Sequence, residues 1–447
     1  MKSFPIKGAL RLKGEVTLLG DKSLAHRAAL LSALTIGITT IENFPENEDC
    51  LTTIRTLRRL GIRAVKVIRK KGPAAIRVFG KGLFGLRKPK GCIFVRESGT
   101  TFRLLLGVLA GQNFTVTLKA GKSLSQRPML RVISPLRLMG ALVDGRLSTV
   151  GGRADEYPPV TIQGGNLMGI TYALPVASAQ VKSAILLAGL YAKGATTIIE
   201  PLKTRDHTER MLEWLGADIK VKGTRITLTG NKGLVSPGTL YVPGDISSAA
   251  FFMAAASIIA GSSVVIKNVG LNPTRTGVIK VLKRMGAVIK VRGPGSRVPG
   301  SEPLGDLVVK AGVLKGTTVR KKEIPSLIDE LPILMVAASK ARGKTVFEGV
   351  EELRVKETDR VRSMSSNLKK MGADIQIVKT GLSERIVVNG SQTLRGARVK
   401  SFGDHRTAMS MAVAGLAAEG TTEIDDIACI NKSFPNFLEL LNRLTHR

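Results

Sequence analysis

One pattern recurs six times along this 447-residue chain: a small-residue helix, a glycine and a β-branched run. The glycine is Gly37 in "SALTIGITTIEN", Gly111 in "GVLAGQNFTVTL" and Gly194 in "GLYAKGATTIIE". It returns as Gly261 in "ASIIAGSSVVIKN", Gly343 in "ASKARGKTVFEG" and Gly420 in "GLAAEGTTEIDD". A glycine stops a helix by taking the left-handed conformation, and the β-branched residues after it enter a strand. A second helix ends at Gly61, Gly140, Gly216, Gly286 and Gly372, with "LELLNRL" near the C-terminus as a degenerate sixth copy. Most copies lead into a short β-prone run such as "ADIKV". Each repeat is therefore about 75 residues of strand–helix–strand–helix–strands, an α/β unit. The chain is too long for one ordinary core, so six units divide into two domains of three. The "YVPGD" turn at 241–245 is the expected crossing point.

Working back from each glycine gives six helix starts. They read "GDKSLAHR" (20–27), "ESGTTFR" (97–103), "ASAQVKSA" (177–184), "PGDISSAA" (243–250), "SLIDELP" (326–332) and "GDHRTAMS" (403–410). Capping accounts for the Ser, Thr and Asp residues. Lys22 and Arg406 are different, because a cation at a helix N-terminus opposes the macrodipole unless an anion lies between them. Helix N-termini and glycine turns also offer free N–H groups to anions. If the repeats are pseudosymmetric, the three starts of each domain point one way. Two such domains facing each other would form a receptor for a substrate with several negative charges.

Two further basic stretches, "SLSQRPM" (123–129) and "RVKETDR" (354–360), interrupt strand–helix transitions. In the second, Lys356 and Arg360 are four apart and would share a face if the segment were helical. "NKSFPNF" (431–437) adds Lys432 before an aromatic–proline turn. "AGKS" (120–123) and "RGKT" (342–345) resemble the end of a phosphate loop, but each lacks its first glycine and is expected to precede a strand. No metal-binding spacing occurs, and the histidines His26, His207 and His405 beside the helix starts are expected to serve as hydrogen-bonding groups. Cys50, Cys92 and Cys429 are far apart and read as reduced thiols. The longest apolar run, 248–260, is too short to span a bilayer, and no apolar signal segment opens the chain. A net charge of +34 invites polyanions, yet only 4% of residues are aromatic, which disfavours stacking on nucleic acid.

"GDKSLAHRAALLSAL", "SGTTFRLL", "SLSQRPM", "PVASAQVKSAILLAGL", "TRDHTERML", "ELRVKETDR" and "GDHRTAMSMAV" occur in one order over more than 400 residues. In this the chain resembles the EPSP synthase family of enolpyruvyl transferases. The resemblance implies a two-domain inside-out α/β barrel with three repeats per domain. One domain would comprise 1–20 and 243–447 and the other 21–242, with the active site in the cleft between them. It implies transfer of the enolpyruvyl group of phosphoenolpyruvate to the 5-hydroxyl of shikimate 3-phosphate, in the shikimate route to chorismate and the aromatic amino acids. No cofactor or metal, no nucleic acid and no membrane would be involved, and a cytoplasmic monomer is expected.

By the same resemblance, Ser23 and Arg27 hold the carboxylate side of shikimate 3-phosphate, and Ser178, Ala179, Gln180 and Arg205 its phosphate and ring. Lys22, Gly99, Arg127, Gln180, Arg360, Arg406 and Lys432 surround phosphoenolpyruvate, with Lys356 between the substrates. Asp329 matches the base, and Glu357 or Lys22 the proton donor. The eight cations among these would offset about six substrate charges, each close pair contributing about 1–4 kcal/mol. Gly99 implies room for glyphosate in the phosphoenolpyruvate site. Glu97 departs from the family, which commonly has asparagine there, and its carboxylate is expected to repel phosphoenolpyruvate unless a cation or proton intervenes. The alternatives are the sister transferase acting on UDP-N-acetylglucosamine, which carries asparagine after the first lysine, and a basic nucleic-acid-binding repeat protein. Here Ser23 follows Lys22.

Overall fold

The computed structural model describes residues 3–68, 74–150, 153–293, 302–381, 383–390 and 393–445. It divides into two compact units. One is Gly20–Val242, with Glu302 grouped alongside it; the other is discontinuous and joins residues up to Leu19 to those from Pro243 onward.

In the 20–242 unit the helices are α1 (Lys22–Leu34), α2 (Glu48–Arg59), α3 (Gly99–Ala110), α4 (Leu130–Leu138), α5 (Ala179–Gly189) and α6 (His207–Trp214). The discontinuous unit carries α7 (Ile246–Ile258), α8 (Gly277–Arg284), α9 (Leu331–Lys340), α10 (Arg360–Lys370), α11 (His405–Leu416) and α12 (Phe437–Thr445). All six predicted helix starts are N-termini, those of the odd-numbered helices. Asp21, Ser98, Ser178, Asp245 and Asp404 cap five of them through side-chain bonds to backbone N–H groups. α9 instead begins with Pro332 in its first turn, where a missing N–H costs nothing.

The odd-numbered helices are apolar nearly all round and are almost wholly buried, as that composition requires. In α1, α3 and α5 the residues left out of the buried set are Lys22 and Ser23, Thr100, and Ala179 and Gln180, all in the first turn. Each unit has its own apolar core around these helices.

Among the described residues the strands form six sheets. Five share one plan, shown by Ile93–Phe94, Thr115–Lys119, Arg153–Gln163 and Leu142–Val150 in that spatial order. The first pair is parallel across a helix, and the other two are antiparallel. The N-terminus does not pair with its own neighbours. Lys13–Thr17 lies parallel to Ser263–Gly270, and Phe4–Lys7 lies antiparallel to Thr421–Ile424. These two ladders make the residues up to Leu19 part of the discontinuous unit.

Gly61, Gly140, Gly216, Gly286 and Gly372 all have φ between 83° and 106°, the left-handed helix stop that their recurrence predicts. The other glycine series is less uniform. Gly37 lies inside the strand Thr35–Glu42 rather than at a helix end, and Gly111 has φ −90°. "AGKS" does not precede a strand; it follows one and leads into a 3-10 turn, Leu124–Gln126. "RGKT" does run into the strand Lys344–Glu348.

Candidate active site

In the 20–242 unit the starts of α1, α3 and α5 are joined by polar contacts. His26 Nδ1 lies 2.7 Å from the Thr53 hydroxyl, which lies 2.7 Å from that of Thr101 on α3. Burial, reinforced by the charges of Lys22 and Arg27, holds His26 well below the usual histidine range, so it is neutral. The Arg27 guanidinium is buried and donates to Thr208 (2.8 Å), Ser183 (2.8 Å) and the Ser23 carbonyl (2.9 Å). Arg205 donates to the Ser23 hydroxyl at 3.4 Å. Gln180 accepts from Arg103 at 2.9 Å and donates to Thr100 at 2.9 Å, tying α5 to α3. Ser178 caps α5, and Ala179 is its first residue. Deeper in, Lys182 is fully buried between Glu200 (3.1 Å) and Glu209 (2.6 Å). Burial raises Glu209 further than Lys182 lowers it.

Gly99 opens α3 with its Cα against two guanidiniums: a methyl group there would lie 2.9 Å from Arg127 Nη1 and 3.0 Å from Arg103 Nη1. Arg127 follows the 3-10 turn. The Glu97 carboxylate accepts from the N–H groups of Leu124 (2.8 Å) and Ser123 (3.4 Å). These backbone donors hold the carboxylate in place without cancelling its charge.

In the discontinuous unit, Asp329 lies just before α9. Its carboxylate is 3.3 Å from Arg360 and 3.9 Å from Arg406, and its carbonyl accepts from Arg406 at 2.8 Å. Arg360 also donates to Asp404 at 2.8 Å. Burial works against its charge, but Asp404, Glu357 and Asp329 outweigh that and hold it above the usual arginine range. Glu330 is buried; it accepts from Ser247 at the start of α7 and lies 3.8 Å from Arg406. Glu357 faces His405 Nδ1 at 2.8 Å. Lys356 ends the 3-10 turn Glu351–Val355, and Lys432 donates to the Gly403 carbonyl at 3.3 Å.

Two sequence expectations need correction. Lys356 and Arg360 do not share a helix face, because Asp359 caps α10 and Lys356 precedes the helix in extended backbone. The cations at the starts of α1 and α11 also have protein partners: Lys22 bonds Asp49 at 3.1 Å, and Arg406 bonds the Asp329 carbonyl. A bound anion is therefore not required to explain their positions.

Among the described residues, Glu357, Asp404 and His405 are close enough together to hold a metal ion. The donor set does not fit one. Asp404 Oδ1 already accepts the N–H groups of Arg406 and Thr407, and Oδ2 accepts Arg360. The sequence reading missed Asp49, Arg103, Glu330 and Asp404 as site groups. Of these, Asp404 carried a signal as the cap residue of "GDHR", and Arg103 and Glu330 lie within the quoted helix starts.

A family model described as EPSP synthase (3-phosphoshikimate 1-carboxyvinyltransferase) matches residues 6–441. The chain belongs to the EPSP synthase family. A 3-phosphoshikimate 1-carboxyvinyltransferase of Brevibacillus brevis is 46% identical over 440 residues, covering 98% of this chain and 99% of that protein. One of Syntrophomonas wolfei is 47% identical over 442 residues, with 98% and 99% covered. A solved EPSP synthase of Acinetobacter baumannii matches with a TM-score of 0.83 and 43% identity, covering 99% of this chain and 98% of that one. The enolpyruvyl transferase NikO of Streptomyces tendae shares the fold, with a TM-score of 0.74 at 18% identity and 99% and 97% covered. The EPSP synthase family thus spans nearly the whole chain, both units included.

Proposed function

We infer that the chain is a 3-phosphoshikimate 1-carboxyvinyltransferase, moving the enolpyruvyl group of phosphoenolpyruvate to the 5-hydroxyl of shikimate 3-phosphate. Family membership over residues 6–441 carries this reading. The two cation-rich sets of helix starts, one in each unit, are chemically suited to it. In our reading they serve the same pair of anionic substrates, and bringing two anions together is the main obstacle that these cations offset.

The acceptor oxygen adds to C2 of phosphoenolpyruvate as C3 takes a proton. The adduct then loses a C3 proton and phosphate, restoring the double bond. Asp329 takes the hydroxyl proton, held in orientation by Arg360 and Arg406. Glu357, oriented by His405, or Lys22 handles the C3 proton. Ser23, Arg27, Ser178, Ala179, Gln180 and Arg205 hold shikimate 3-phosphate. Lys22, Gly99, Arg127, Gln180, Arg360, Arg406 and Lys432 surround phosphoenolpyruvate, and Lys356 lies between the substrates. No phosphoryl group is transferred, so the chemistry needs neither a nucleotide loop nor a metal. No helix among the described residues is long and apolar enough to cross a membrane. Separately, by its resemblance to the family, we take the enzyme to be a cytoplasmic monomer acting on small molecules.

The test is phosphate release from phosphoenolpyruvate with shikimate 3-phosphate or UDP-N-acetylglucosamine as acceptor, with and without EDTA. Turnover with shikimate 3-phosphate, unaffected by EDTA, is expected. Turnover only with the UDP-sugar would overturn the reading.

A further inference from the structure

We propose that Glu97 is a positioning residue for phosphoenolpyruvate, holding the 121–127 turn and, through it, the Arg127 guanidinium. This rests on the reading of Arg127 as a phosphoenolpyruvate-side cation. Residues 96–99 grip that turn at three points. The Arg96 carbonyl accepts from the Gly121 N–H at 2.6 Å, with Arg96 at φ 53°, an uncommon conformation for a non-glycine residue. The Glu97 carboxylate spans the N–H groups of Ser123 and Leu124. Gly99 lies against the Arg127 guanidinium itself.

From the 96–99 segment, the middle contact is the one made by a side chain, and the turn is shaped to receive it. A Cβ on Gly121 would sit 2.2 Å from Glu97 Oε1, so the carboxylate occupies the space a side chain there would fill. Leu124, whose N–H is bound, is buried, and its carbonyl accepts the Arg127 N–H at 3.0 Å. The chain of contacts from carboxylate to the Arg127 backbone is therefore two hydrogen bonds long. A charged acceptor on two N–H groups is a strong restraint on so short a turn.

Steady-state kinetics on the whole enzyme test this with Glu97→Ala, Glu97→Gln and Arg127→Ala. Glu97→Ala should raise KM for phosphoenolpyruvate about tenfold, while KM for shikimate 3-phosphate stays within about twofold. Glu97→Gln keeps an oxygen at the same reach and should limit the rise to about threefold, again for phosphoenolpyruvate alone. Equal rises in both KM values, or no rise, would overturn the proposal. If the alanine variant fails to fold, the glutamine variant decides by the same criterion. Arg127→Ala separates the underlying reading: unchanged KM for phosphoenolpyruvate there would overturn both, whereas a selective rise there with none in Glu97→Ala would overturn the role of Glu97 alone.

Discussion

Gly99→Ala isolates a steric effect at the side we propose for phosphoenolpyruvate. Gly99 has no positive φ and begins a helix, so alanine adds no backbone strain and slightly favours helix formation. Its methyl group would lie 2.9 Å from Arg127 Nη1, 3.0 Å from Arg103 Nη1 and 3.3 Å from Leu124 Cδ1. Ordinary carbon contacts are about 3.5–4.0 Å, so all three neighbours are crowded. Arg103 is held by Gln180 and the Pro128 carbonyl, and Leu124 is buried. The guanidinium ends of Arg127 and Arg103 must therefore shift to admit the methyl group. Overpacking of this kind costs about 1–3 kcal/mol, or about 5- to 150-fold in an equilibrium constant. The expected result is a KM for phosphoenolpyruvate at least about fivefold higher, with a much smaller change for shikimate 3-phosphate. Glyphosate should inhibit the parent competitively with phosphoenolpyruvate, and the longer inhibitor should be weakened more than the substrate in the variant. Initial-rate measurements at varied phosphoenolpyruvate and glyphosate read both effects. Equal weakening of the two ligands, or a parent indifferent to millimolar glyphosate, would refute this account of the pocket.

Asp329→Ala should lower kcat by about 10²–10⁴-fold with little change in shikimate 3-phosphate binding, measured by turnover and titration; near-normal turnover would remove Asp329 from the proton transfer. Lys182→Ala leaves Glu200 and Glu209 buried without their cation and should destabilise the protein by about 3–5 kcal/mol in denaturant unfolding. An unchanged midpoint would show that the buried pair of carboxylates is tolerated. His26 has its pKa depressed in the folded state, so the unfolded chain binds the extra proton. Its contribution to stability is complete above about pH 6.5 and is lost as pH falls below that value towards the folded pKa. His26→Gln should therefore flatten the fall in Tm between pH 7 and 5, and an unaltered slope would refute the assignment.

The helix starts were legible because capping is local. Asp21, Ser98, Ser178, Asp245 and Asp404 each bond an N–H two or three residues ahead, within one sequence motif. The charge partners were not legible for the opposite reason. Lys22 meets Asp49 across 27 residues and Arg360 meets Asp404 across 44, pairings set by how the helices pack. The N-terminal strand is similar: nothing in "LKGEVTL" says that it will pair with Ser263–Gly270. Lys356 and Arg360 are four apart but share no helix face, because only Arg360 lies in a helix. Asp359 starts a new helix one residue before Arg360, which breaks the four-residue period.

Keeping the odd-numbered helices inside and the sheets outside divides the chain's charges into two populations with different histories available to them. At the helix starts, a cation is tied to carboxylates and carbonyls and can change only together with them. On an outward strand position, a cation can instead stand exposed to water. Lys220, Lys222 and Arg225 lie exposed beside one another, with Lys222 directly opposite Arg225, while inward-facing Ile226 and Leu228 are buried. Lys290, Arg292 and Lys310 are likewise exposed over buried Leu307 and Val309, with Arg292 opposite Asp306. Substitution at such places changes solubility and long-range attraction but asks nothing of the core. The shell can therefore drift far from neutrality, to +34 in this chain, without disturbing the groups at the helix starts.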